Sequence, residues 1–123
     1  MTLERITDAN YNEFVQAETA VLIFSGDWCS DCKTFIPEVE MVAQEHREAR
    51  SEIRFGKVDV SRSREPTPAN IVEIMGDYPE GIGEIPRVEI YRRGQRVFAE
   101  APTTAENLNG DYLRRVIKPY VAS

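Results

Sequence analysis

Val21-Leu22-Ile23-Phe24, followed closely by Trp28-Cys29-Ser30-Asp31-Cys32, sets the framework for the whole chain. From Ala20 to Ser25 the sequence is apolar without alternation, the pattern of a strand buried on both faces. After Cys29 the period changes to that of a helix: Phe35, Ile36, Val39, Val42, Ala43 and His46 fall on one stripe. The two cysteines therefore stand where a buried strand gives way to a helix. Residues at i and i+3 are neighbours on a helix, so the sulfurs can meet at disulfide distance. The unpaired amides and partial positive charge of a helix N-terminus favour a thiolate. Cys29, at the exposed end, is the expected nucleophile toward a disulfide, and Cys32, one turn inside, is the expected resolving thiol. Two other readings compete here. A structural disulfide closing so short a loop would constrain the unfolded chain little. A structural zinc site needs four ligands, and the chain offers two cysteines and one histidine, His46, far along the helix.

Outward from this junction, strands and helices alternate. A short strand over Leu3 to Ile6 precedes a helix capped by Thr7 or Asp8, with Tyr11, Phe14 and Val15 as its apolar side. Pro37 should kink the helix that Cys29 opens, because it removes an amide donor. Ile53 to Val60 reads as a second buried strand. Thr67 is the expected cap of a short helix with Pro68 at its first position and Gly76 just past its end. A Gly- and Pro-rich loop runs from Asp77 to Ile85. Arg87 to Tyr91 and Arg96 to Ala99 form a hairpin across Arg92-Arg93-Gly94-Gln95. A last helix covers Asp111 to Lys118, and Pro119 should end it. The order β-α-β-α-β-α-β-β-α predicts an α/β fold, a mixed central β-sheet with helices on both faces, in one domain over residues 1–123.

Composition narrows the partners. Fifteen basic residues against 21 acidic ones give a net charge of −6, which argues against a nucleic-acid backbone as ligand. No apolar run approaches the roughly 20 residues of a membrane helix, so no membrane partner is expected. The first residues lack a basic segment followed by an apolar one, so no secretory signal is expected there. With two cysteines in the chain, a reducing, cytoplasmic setting is expected.

These features together resemble the thioredoxin family across nearly the whole chain. Val21 to Phe24 and Trp28-Cys29 match its central strand and active-site tryptophan. Cys32-Lys33 and Pro37 match the helix that follows, and Lys57-Val58-Asp59-Val60 matches its third strand. Gly81-Ile82-Gly83-Glu84-Ile85-Pro86 matches its cis-proline loop, and Gly94 its hairpin turn. The resemblance implies a cis Ile85–Pro86 bond, a substrate groove shaped by Trp28 and Pro86, and pairing of the Ile85 backbone with an extended substrate. It also implies a thiol–disulfide oxidoreductase without a bound cofactor or metal. Its partners would be a disulfide-containing protein or small disulfide substrate, and a thioredoxin-reductase-like electron donor.

The chain departs from the family at four places, one of them the loop after the last strand, where the family's glycine is replaced around Pro102. Ser30-Asp31 replaces the usual Gly-Pro between the cysteines. With Asp27 it puts negative charge beside the sulfurs, opposed by Lys33, which predicts a reducing couple and a restricted client. The family's buried strand aspartate aligns with Ile23, so the usual general base is missing. Lys57, its customary partner, must then turn to solvent or find another carboxylate, and Asp31 is the candidate substitute base. The segment from Ser61 to Glu80 is longer than the family's usual connection and should border the site, with Tyr78 and Pro79 as substrate contacts. The leading expectation is a protein-disulfide reductase serving cell redox homeostasis. The alternative is a thioredoxin-like partner-binding module switched by the redox state of Cys29 and Cys32.

Overall fold

The computed structural model describes residues 3–62 and 64–121; Ser63, inside the 61–80 segment, lies outside the described residues. The strands are β1 (Glu4–Arg5), β2 (Thr19–Ser25), β3 (Ile53–Asp59), β4 (Arg87–Arg92) and β5 (Gln95–Glu100). The helices are α1 (Tyr11–Val15), α2 (Ser30–Glu48), α3 (Val72–Gly76) and α4 (Gly110–Val121). The sheet order is β1-β3-β2-β4-β5. β1 and β2 both lie parallel to β3, whereas β4 is antiparallel to β2 and β5 to β4. The mixed sheet with helices on both faces is thus the architecture read from the sequence.

β2 lies at the centre, and all seven of its residues are buried. Val21 and Ile23 point to one face, where Phe35, Val39 and Val42 of α2 and Leu113 and Ile117 of α4 cover them. Leu22 and Phe24 point to the other, against Phe14, Ile71 and Ile74. An unbroken apolar strand is what such two-sided burial demands. The β4–β5 turn has positive φ at Arg93 (51°) and Gly94 (88°), the geometry of a two-residue hairpin whose twist matches its strands.

Three local expectations are corrected. The short helix is not capped by Thr67: the chain passes Pro68 into a 3₁₀ turn (Ala69–Ile71) before α3, and Gly76 is the last helical residue. Its cap comes from far away in the sequence. Asp8 accepts from the amides of Glu73 (3.0 Å) and Ile74 (2.9 Å), so the carboxylate expected at α1 serves α3 instead. Pro119 does not end α4, which continues to Val121. Tyr120 holds that last turn, packing against the core and donating its hydroxyl to the Val97 carbonyl at 3.2 Å. Pro37 lies inside α2 without dividing it.

The second face also holds a buried carboxylate, Glu89 of β4. It accepts from the hydroxyls of Tyr78 (2.6 Å) and Tyr91 (2.7 Å) and from Arg87 Nε (2.7 Å). Burial, more than any other cause, pushes both phenols up, so they remain protonated donors. The cluster ties Tyr78, in the loop after α3, to the sheet.

At Gly56 of β3 a β-carbon would lie 2.6 Å from Ile6 Cγ1 and 2.8 Å from Phe14 Cζ. Both neighbours are buried, so neither can swing away. Gly56→Ala is therefore expected to lower the free energy of unfolding in urea by about 2 kcal/mol, with an unchanged slope against denaturant.

Candidate active site

The chain leaves β2 at Ser25 and turns at once, the Cys29 amide donating to the Gly26 carbonyl at 3.2 Å. Cys29 is the N-cap of α2, with extended backbone, and its sulfur accepts from the Cys32 amide at 3.2 Å. A sulfur thus fills the role that a serine or aspartate oxygen has at most helix starts. Asp31 stands in the first turn of α2, where a carboxylate is favourable.

The two sulfurs are unequal. Cys29 is 9% exposed and borders a cleft, whereas Cys32 is 2% exposed. Burial pushes the Cys32 thiol up to about 12, and its hydrogen bond to Cys29 adds to the rise. The Gly26 backbone and the Ser25 hydroxyl pull the other way. Both cysteines are free thiols.

Opposite Cys29, the Ile85–Pro86 peptide is cis. The Cys29 thiol donates to the Ile85 carbonyl at 3.7 Å. Phe24 of β2 is paired with Arg87 of β4, so neighbouring strand ends bring the two loops together. Trp28 is partly exposed, and its Nε1 donates to the Val60 carbonyl at 3.4 Å. A β-carbon at Gly26 would lie 2.6 Å from Nε1, so a glycine there lets the indole fold back over the turn. The Arg62 guanidinium sits 5.9 Å from the centre of the Trp28 ring.

The cleft encloses about 990 Å³. Trp28, Cys29, Asp31 and Ile85 line it, and so do Arg62, Glu65, Pro68 and Glu80 from the long segment. That segment does border the site. Tyr78 does not: its ring meets Phe24 edge-on at 5.5 Å and its hydroxyl is held by Glu89, so it supports the loop from behind. Lys57 finds a carboxylate in Asp59, with Nζ 3.4 Å from Oδ1. Asp31 makes no hydrogen bond to Cys32 among the described residues; the polar groups against that thiol are Ser25 and Gly26. Ile23 is fully buried in the core. His46 packs against the Phe55 ring at 5.5 Å, well down α2 from the cysteines. Arg62, Ser25 and Gly26 were missed from the sequence. Only the position of Gly26, just before the motif, carried a local signal.

The comparisons agree with this geometry. The Thioredoxin family model matches residues 2–118. Thioredoxin from Porphyra purpurea is 30% identical over 99 residues, covering 79% of this chain and 80% of that protein. Protein disulfide-isomerase A4 from Bos taurus is 31% identical over 104 residues. The chain spans about 15% of the length of that relative. Among solved structures, a thioredoxin from Malassezia sympodialis superposes with a TM-score of 0.74 at 18% identity, covering 98% of this chain and 91% of the other. Similarity of this extent, with Cys29 and Cys32 set at the start of α2, establishes that the chain belongs to the thioredoxin family.

Proposed function

We propose that this protein reduces protein disulfides by dithiol exchange, with Cys29 as nucleophile and Cys32 as resolving thiol. The observation that carries the reading is the inequality of the two sulfurs. Cys29 borders the cleft and is held by a helix-start amide, while Cys32 is buried with its proton firmly bound. The Cys29 thiolate attacks one sulfur of the substrate; the substrate S–S bond breaks, and the departing sulfur takes a proton. Cys32 then attacks Cys29 Sγ, which closes the Cys29–Cys32 disulfide and frees the second substrate thiol. Two electrons and two protons pass to the substrate. Trp28 and Pro86 shape the groove, and the Ile85 backbone would pair with an extended substrate strand. Asp31, in the cleft wall, and Lys57, paired with Asp59 on β3, would play supporting parts. The electrons would return from an external, thioredoxin-reductase-like donor in the cytoplasm, with no bound cofactor.

Three outcomes follow from this chemistry. Equilibration in defined thiol/disulfide buffers should give a midpoint potential near −270 mV; a value near −180 mV would favour isomerisation and one near −120 mV oxidation. Iodoacetamide at neutral pH should carboxamidomethylate Cys29 and spare Cys32, as read by peptide mass spectrometry. The sign of the pH effect follows from the raised Cys32 value: the folded protein holds that proton from pH 9.0, the ordinary thiol value, up to about 12. The contribution of Cys32 to stability should therefore be complete below pH 9.0 and fade as pH rises toward about 12. Urea unfolding of the reduced protein against Cys32→Ala across that range checks it.

A further inference from the structure

We propose that the cleft beside Cys29 selects disulfides carried on basic polypeptide segments, with Asp31, Glu65, Glu80 and Glu84 setting the preference. This rests on the oxidoreductase reading and narrows its substrate class. The site is the redox pair itself; the carboxylates bear on which segment reaches it.

Three separate parts of the chain bring these carboxylates to one concavity. Asp31 comes from the first turn of α2, Glu65 from the loop after β3, and Glu80 and Glu84 from the run into Pro86. None makes an ion pair or a side-chain hydrogen bond among the described residues. Several cations elsewhere are committed, Arg54 to Glu4 and Glu13, Arg114 to Glu45 and Asp111, and Arg87 and Arg96 to Glu89, while Lys33 and Arg64, beside the site in sequence, do not line the cleft. Against the four carboxylates the cleft wall presents one guanidinium, Arg62, and that group lies over the Trp28 ring.

The rest of the wall is partly apolar, with Ile71, Met75 and Ile82. A concave surface of low-dielectric walls and single-sign charge focuses its field, raising the local concentration of oppositely charged partners and their on-rates by roughly 10- to 1,000-fold. A segment laid along the Ile85 backbone with its sulfur at Cys29 must run beside these carboxylates. Lysine or arginine near its cysteine gains a partner there, and aspartate or glutamate meets like charge. The long 61–80 segment thereby has a chemical role, since it supplies Glu65 and Glu80.

The test uses the full chain with Cys32→Ser, which stops the reaction at the mixed disulfide. Two peptides of equal length each carry one cysteine capped by thionitrobenzoate, flanked by lysines in one and glutamates in the other. Attack by Cys29 on the peptide sulfur breaks the S–S bond, forms the Cys29–peptide disulfide and releases the coloured thiolate; mass spectrometry confirms the adduct. At about 0.01 M salt, where screening extends over ~30 Å, the lysine peptide should react at least ~10-fold faster. At about 1 M salt, with a screening length of ~3 Å, the ratio should approach one. Combining Glu65→Gln, Glu80→Gln and Glu84→Gln should cut the low-salt ratio at least ~5-fold. Combining Glu18→Gln, Glu48→Gln and Glu52→Gln, at the far end of the sheet, changes net charge equally and should leave the ratio intact. Equal rates for the two peptides, or equal loss of preference in both triple variants, would overturn the inference while leaving the oxidoreductase reading standing. No adduct with either peptide would overturn that reading, and the inference with it.

Discussion

The bond from the Cys32 amide to the Cys29 sulfur, 3.2 Å long, ties that sulfur to the backbone of α2. Its position depends on β2, the most buried strand, which delivers the chain to the helix start with no slack beyond one turn. β4 lies against β2, so the cis-proline loop ahead of β4 arrives beside the same helix start. The 3.7 Å approach of the Cys29 sulfur to the Ile85 carbonyl is the meeting of two adjacent strand ends. Packing in the core therefore sets the geometry of the Cys29 sulfur. Such rigid support is what a thiol needs to present one sulfur to a substrate and keep the other back.

The opposite face of the sheet contributes through Glu89. A fully buried carboxylate is tolerable only when its oxygens are satisfied. Here two phenols and two guanidinium groups do so. One of those phenols is Tyr78, which ends the long segment that forms a cleft wall. Charge satisfaction in the core and the shape of the cleft are coupled through that hydroxyl. Asp8 does similar work from the other side, holding the amides of α3. The long segment is thus held at both α3 and Tyr78.

The elements legible in the sequence were those with a local cause. The apolar run at Val21 to Phe24, the stripe from Phe35 to His46 and the turn at Arg93-Gly94 each report their own conformation. The Cys29–Cys32 spacing at a strand-to-helix junction placed the two thiols together, because both residues belong to one helical turn. What escaped depended on partners distant in sequence. Nothing near Asp8 says that it will cap a helix 65 residues later. Nothing near Pro119 says that Tyr120 will hold the helix past it. Tyr78 was expected in the groove because it adjoins the cis-proline loop, but a buried Glu89 claimed its hydroxyl. The same distance hid Arg62, whose place over Trp28 is set by the course of the long segment.

The absence of a carboxylate at Ile23 raises the question of how Cys32 comes to react at all. In the free dithiol, three causes hold its proton: burial, the hydrogen bond to Cys29 and the charge on Cys29. Two of these three belong to its partner. In the proposed exchange, Cys29 bound to a substrate sulfur would carry no charge and would be a weaker acceptor, so both causes would weaken. Burial would then be the main cause opposing the Ser25 hydroxyl and the Gly26 backbone, which favour the thiolate. On the proposed mechanism Cys32 would become easier to deprotonate when its attack is required. In the proposed exchange, formation of the mixed disulfide would thereby favour its own resolution, without a dedicated base on the strand.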